Sequence, residues 1–139
     1  MPLLLEELTR SVIGRFYAVY DRLGYGLLEN PYVGALEIEL KKAGHEVARE
    51  MPIAVRYEGV VVGSYRIDLL VDRQLLVEVK AEPCLTGIHE RQLRNYLACS
   101  DCEVGLVLCF GIQPQFKRFI HTQDRKVREH HVRERQSRP

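Results

Sequence analysis

Tyr65-Arg66-Ile67-Asp68-Leu69-Leu70-Val71-Asp72-Arg73-Gln74-Leu75-Leu76-Val77-Glu78-Val79-Lys80-Ala81 is the stretch that decides the fold of this 139-residue chain. Two apolar, β-rich runs flank Asp72-Arg73, and a two-residue connector leaves room only for a hairpin. A third run, Val47 to Tyr57, joins the second through Glu58-Gly59, so three strands (47–57, 60–71 and 74–81) are predicted to form an antiparallel meander. Each strand of the central hairpin breaks its apolar run with charge, at Asp68 on one and at Glu78 and Lys80 on the other. Period-two alternation puts Glu78 and Lys80 on one face, with Val77, Val79 and Ala81 on the opposite one.

Outward from the hairpin the periodicity changes. Leu5, Leu8, Val12, Phe16, Val19 and Leu23 recur at steps of three and four, one stripe of a helix that ends at Gly24-Tyr25-Gly26. Asn30-Pro31 reads as an N-cap and first helical position, opening a second helix with a Val33, Leu36, Leu40, Ala43 stripe and a cap at Gly44. Beyond Pro83, Ile88, Leu93, Tyr96 and Leu97 mark a third helix over about 88–98. Val104 to Phe110 then reads as a buried central strand, and Phe116 to His121 as an edge strand. The order ααβββαβ predicts an α/β sandwich, a mixed sheet flanked by helices, in a single domain over 1–121.

With 46% hydrophobic and 28% charged residues the composition is that of an ordinary globular protein. No apolar run approaches the roughly 20 residues of a membrane span, and the opening Met1-Pro2-Leu3-Leu4-Leu5-Glu6-Glu7 lacks the basic start and cleavage site of a secretion signal. A cytoplasmic protein without a membrane partner is expected. Residues 117–139 hold eight Lys or Arg against three acids, which leaves the rest of the chain net acidic. A basic tail over 122–139 suits a polyanion such as nucleic acid, or is simply a solvated, frayed terminus. Of four cysteines, Cys99 and Cys102 form a C-x-x-C pair without a second such pair, while Cys109 sits in an apolar run where a free thiol packs as a small hydrophobe. No zinc or iron-sulfur centre on Cys84, Cys99, Cys102 and Cys109 is therefore expected.

A hairpin turning at Asp72-Arg73 brings Asp68 beside Glu78 or its neighbour, so two carboxylates and the Lys80 ammonium meet on one patch of sheet. Such a patch fits Mg²⁺, a hard cation held by one or two carboxylates plus water and phosphate oxygens. The competing reading is a pair of ion pairs on a solvated sheet face.

Asp68 followed by Glu78-Val79-Lys80 resembles the signature of the PD-(D/E)xK nuclease superfamily. Gln92-Leu-Arg-Asn-Tyr96 resembles the QxxxY motif of its RecB-like branch, and Gly26-Leu-Leu-Glu29-Asn-Pro-Tyr32 resembles the GxxExxY proteins within it. The likeness runs from about Ser11 to His121 and includes His89-Glu-Arg-Gln-Leu93. It implies a restriction-endonuclease-like fold and hydrolysis of nucleic acid, DNA rather than RNA, with Mg²⁺ or Mn²⁺. Asp68, Glu78 and the Val79 carbonyl would be metal ligands, and Lys80 would position the attacking water. Glu29, or in its place Glu39, would be the helical acid. Gln92 and Tyr96 would orient the lysine and the substrate phosphate.

Other readings compete with these. Glu29 could serve only the helix N-terminus, Tyr96 the core, and His89 the helix surface. The proline that nominally precedes the aspartate is absent, with Arg66-Ile67 in its place, and Val33-Gly34 follow Tyr32 where relatives carry acids. The resemblance also allows some relatives' cysteine-held iron-sulfur cluster, a homodimer with paired sites for a double-strand cut, and a catalytically inactive domain that binds nucleic acid or a protein.

Overall fold

The computed structural model describes residues 5–124; positions 125–139, with most of the basic tail expected over 122–139, lie outside them. Eight elements follow in the order α1 (Glu6–Leu23), α2 (Glu29–Lys42), β1 (Val47–Tyr57), β2 (Val60–Val71), β3 (Leu75–Lys80), α3 (Gly87–Ala98), β4 (Val104–Phe110) and β5 (Pro114–Ile120). The strands form one mixed sheet in sequence order, antiparallel except for the parallel pair β3 and β4, which α3 connects. This is the expected α/β sandwich, with β4 buried at all seven positions and β5 on the edge. No helix among the described residues is long and apolar enough to cross a membrane.

Two cores sandwich the sheet. Val12, Phe16, Val19, Tyr32, Leu36 and Leu40 of α1 and α2 pack on Leu69, Val77, Val79 and Phe110; on the other face Leu93 and Leu97 of α3 pack on Ile67, Leu76 and Val107. Each fully buried side chain of this kind contributes about 1.5–3 kcal/mol. Leu23 and Ile88, expected on the apolar stripes of their helices, are exposed. They occupy an end turn of α1 and of α3, where the helix runs past the sheet.

The helix boundary at α2 also differs from expectation. The helix starts at Glu29, with Leu28 as its cap, rather than at Asn30-Pro31. A proline is tolerated throughout a first turn because those amides lack intrahelical partners. The other end closes with Gly44 at φ 91°, donating to the Lys41 carbonyl, while the His45 amide reaches the Leu40 carbonyl. These two bonds form a Schellman motif.

Both hairpins turn on two residues of positive φ, Glu58-Gly59 and Asp72-Arg73; the first is a two-residue type I′ connection between paired Tyr57 and Val60, whereas the second is one residue longer than expected, because Gln74 donates to the Val71 carbonyl as part of the turn and β3 pairs only from Leu75. Asp72 tolerates this backbone because its carboxylate is held from two sides. Oδ1 accepts the Glu46 amide at 2.8 Å, and Oδ2 accepts His45 Nδ1 at 2.8 Å, while His45 Nε2 lies 2.7 Å from Ser11 Oγ. With Nδ1 protonated toward the carboxylate, neutral His45 accepts the Ser11 hydroxyl. The Ser-His-Asp order is a structural tie here, because Ser11 lies within α1, where neighbouring amides are engaged in the helix ladder and cannot form an oxyanion hole. Burial raises the Asp72 carboxyl, but the bonds from His45 and Glu46 outweigh it and hold it below its ordinary range. A depressed pKa adds stability that is present above the unfolded value and lost as pH falls through the folded one. Asp72→Asn is therefore expected to lower the urea midpoint at pH 7, with the gap to the parent closing below about pH 4.

Candidate active site

The sheet changes character at Asp68. Register runs continuously from Val47↔Val71 to Arg49↔Leu69 and resumes at Met51↔Ile67, skipping Glu50 and Asp68; Glu50 sits at φ 53°. Residues of equal parity then swap sides: Val47 and Leu69 belong to the α1/α2 core, whereas Ile53 and Ile67 belong to the α3 core. On the other side of β2, pairing with β3 stops at Leu69↔Val77. The two strands part where the sequence places its acids.

Side chains take over the lost ladder bonds. The Asp68 amide donates to Glu78 Oε1 at 3.0 Å, and the Val79 amide donates to Asp68 Oδ2 at 2.8 Å. Lys80 Nζ lies 3.9 Å from Glu78 Oε2, and both side chains are largely buried, 16% and 8% exposed. The expected meeting of Asp68, Glu78 and Lys80 therefore occurs, with Val77 and Val79 turned into the opposite core. Burial and the nearby Asp68 charge push Glu78 up to about 7, against the Asp68 amide and Lys80; Glu29 adds to the upward push. Burial also raises Asp68, although the Val79 amide, Lys80 and Arg49 pull it down.

The helical residues divide. Glu29 is the first residue of α2, and its charge reaches Glu78. Tyr32, fully buried and stacked on Phe110 at 4.0 Å, pins the preceding loop by donating to the Gly24 carbonyl and accepting the Leu27 amide. Glu39 instead forms ion pairs with Arg15, Arg22 and Lys42 at 3.6–3.9 Å on the α1/α2 flank. On α3, Tyr96 is half-buried, and its phenol is pushed up by burial and then by Glu78, Tyr65 and Asp68, which places it beside the carboxylates. Gln92, one turn earlier, stays on the exposed surface.

His89 is not the surface residue expected. It is buried; its Nδ1 accepts the Thr86 amide at 3.2 Å in a capping box, and its Nε2 reaches Glu82 at 2.7 Å. It thereby ties the loop after Lys80 to α3. Arg49 and Tyr65 escaped the sequence reading altogether. Counting pairs back from the Glu58-Gly59 turn sets Arg49 opposite Asp68, and a bulge at Val55/Arg56 shifts it one place, to Leu69.

Residues 6–119 match the PD-(D/E)XK nuclease superfamily. The chain belongs to that superfamily. No curated protein matches it. Among solved structures it is similar to SSO0001, at a TM-score of 0.49 and 19% identity, covering 96% of this chain and 69% of that one. It is also similar to an alkaline exonuclease from Laribacter hongkongensis, at a TM-score of 0.45 and 13% identity, with 95% and 77% covered. Superfamily membership makes the chain a nuclease by family and its acid-lysine patch the candidate active site.

Superfamily nucleases generally use divalent metals. Two recessed carboxylates, both raised by burial and Glu78 also by the Asp68 charge, are what a hard cation would relieve. Among the described residues no group of three or more His, Cys, Asp or Glu able to hold a metal occurs; a pair of carboxylates is a donor set that a hard cation completes with water and phosphate oxygens. The thiols are dispersed in role: Cys109 is buried with its Sγ on the Glu82 carbonyl, whereas Cys84 and Cys99 are exposed.

A carboxyl with a raised folded-state pKa stabilises fully below its unfolded value and loses that contribution as pH rises through the folded one. For Glu78 the window runs from 4.5 to about 7. Glu78→Gln is thus expected to raise the melting temperature of the EDTA-treated protein at pH 8, by on the order of 5 °C, and to leave it unchanged at pH 4.

Proposed function

We propose that this chain is a Mg²⁺-dependent nuclease of the GxxExxY group, within the RecB-like, QxxxY branch, that hydrolyses phosphodiester bonds of DNA. The observation that carries this reading is the convergence of Asp68, Glu78 and Lys80 at the point where β2 and β3 separate. An ion-paired surface patch would be solvated; here Glu78 and Lys80 are recessed and the strand ladder is given up to bring them together.

Asp68, Glu78 and the Val79 carbonyl would hold the cation, with Glu29 of α2 as the helical acid in preference to Glu39, whose charge is already neutralised by three bases. When bound, Mg²⁺ would supply charge neutralisation at the phosphate and lower the pKa of a bound water. Lys80 holds the attacking water against the phosphorus and stabilises the charge that develops on the phosphoryl oxygens. The water gives up a proton to solvent as its oxygen bonds to phosphorus, and the leaving oxygen takes one from solvent as its bond to phosphorus breaks. Tyr96 orients Lys80 and the phosphate from across the cleft; Gln92, at the surface, meets the strand that enters.

Cleavage of single-stranded, duplex and branched DNA and of RNA with Mg²⁺, Mn²⁺ or EDTA tests the proposal. Metal-dependent cutting is expected, with Asp68→Ala and Lys80→Ala each slowing it by roughly 10²- to 10³-fold or more; Lys80→Ala should leave the melting temperature nearly unchanged, whereas Asp68→Ala should lower it as the Val79 amide loses its acceptor, at a cost of about 1–3 kcal/mol. Equal rates for Lys80→Ala and the parent would place the chemistry elsewhere. No cutting of any substrate by folded, metal-loaded protein would favour a domain that only binds.

A further inference from the structure

Beyond the point where β3 leaves it, β2 has β1 as its sole strand partner over residues 60–67, so the two strands continue as a hairpin arm that leads into the acid-lysine patch at Asp68. Three residues before Asp68, on this arm, stands Tyr65. Its ring meets that of Tyr96 with centroids 4.9 Å apart and planes tilted by 53°. Ile67, the next residue of the same parity on the strand, is completely buried, whereas Tyr65 remains 44% exposed. A tyrosine serving only the α3 core would be covered like its neighbour; this one keeps ring surface available at the mouth of the site. An extended strand advances about 3.3 Å per residue, which sets Tyr65 roughly 10 Å from Asp68.

We propose that Tyr65, backed by Tyr96, is a stacking platform for an unpaired base beside the scissile phosphate, which makes a single strand or a frayed end the preferred substrate. A paired base has both faces occupied by its neighbours, and freeing one costs a few kcal/mol, whereas base-aromatic stacking returns about 1–3 kcal/mol. Tyr65 is thus a specificity-determining residue. The inference rests on the nuclease reading above, but binding tests it separately from cleavage.

The test uses the full chain in EDTA with a short single strand carrying 2-aminopurine, and with the same strand annealed to its complement. The parent is expected to quench the single-strand fluorescence and to bind that strand at least tenfold more tightly than the duplex. Tyr65→Leu should lose the quench and about 10- to 100-fold of single-strand affinity, with duplex affinity unchanged; Tyr65→Phe should restore both. With Mg²⁺, the Tyr65→Leu defect should fall on KM more than on kcat. Equal losses on both substrates, no loss, or a parent that neither quenches nor prefers the single strand would overturn the proposal, and the parent measurements decide it even where Tyr65→Leu does not fold. A parent that quenches but never cuts would leave the platform standing and remove the nuclease reading.

Discussion

The reciprocal hydrogen bonds between the Asp68 and Glu78 segments are the constraint on which the site depends. Each carboxylate accepts an amide from the opposite strand, Asp68 from Val79 and Glu78 from Asp68 itself, at 2.8 and 3.0 Å. A strand pair that parts in mid-sheet would otherwise leave buried amides without acceptors, each at a cost of about 1–3 kcal/mol. The acids therefore let the two strands part without orphaning the backbone. The candidate site and the architecture share the same atoms.

That arrangement carries an electrostatic cost. Two carboxylates and the Glu29 charge lie within range of one another in a partly dehydrated patch, and Glu78 is pushed up to about 7 as a result. Lys80 and Arg49 offset the repulsion only in part. Perturbation of this kind gathers where charge is arranged for function rather than for stability. The surrounding fold is correspondingly firm: β4 is buried along its whole length beside β3, Tyr32 and Phe110 stack beneath the α1–α2 loop, and His89 ties the loop after Lys80 to α3.

Much of this was legible in the chain. Short connectors at Glu58-Gly59 and Asp72-Arg73 leave no alternative to hairpins, so the meander and the approach of Asp68 to Glu78 or its neighbour followed from spacing, while the extra turn residue, Gln74, set the register that brings Asp68 to Glu78 itself. The helices emerged from their apolar stripes within one or two residues, apart from α2, where a proline in the first turn looks the same at the first position as at the third. Residues such as Glu29 and Glu39 could not be separated in this way, since both lie on one helix with acidic side chains free to pair with whatever the fold brings near.

Local interactions determine what the sequence by itself decides: turn length, strand alternation, helix periodicity, and hence the mixed α/β order and the acid-lysine patch. Tertiary structure alone decided the rest, because those outcomes depend on partners distant along the chain. Packing of α2 against α1 brought Arg15 and Arg22 to Glu39, beside its helical neighbour Lys42, and left Glu29 where its charge reaches Glu78. Closure of the loop after β3 buried His89 on Glu82. The skipped pair at Glu50 and Asp68 turned the sheet over, placing Tyr65 against Tyr96 and Arg49 beside the acids, and no periodic rule predicts where a ladder will break.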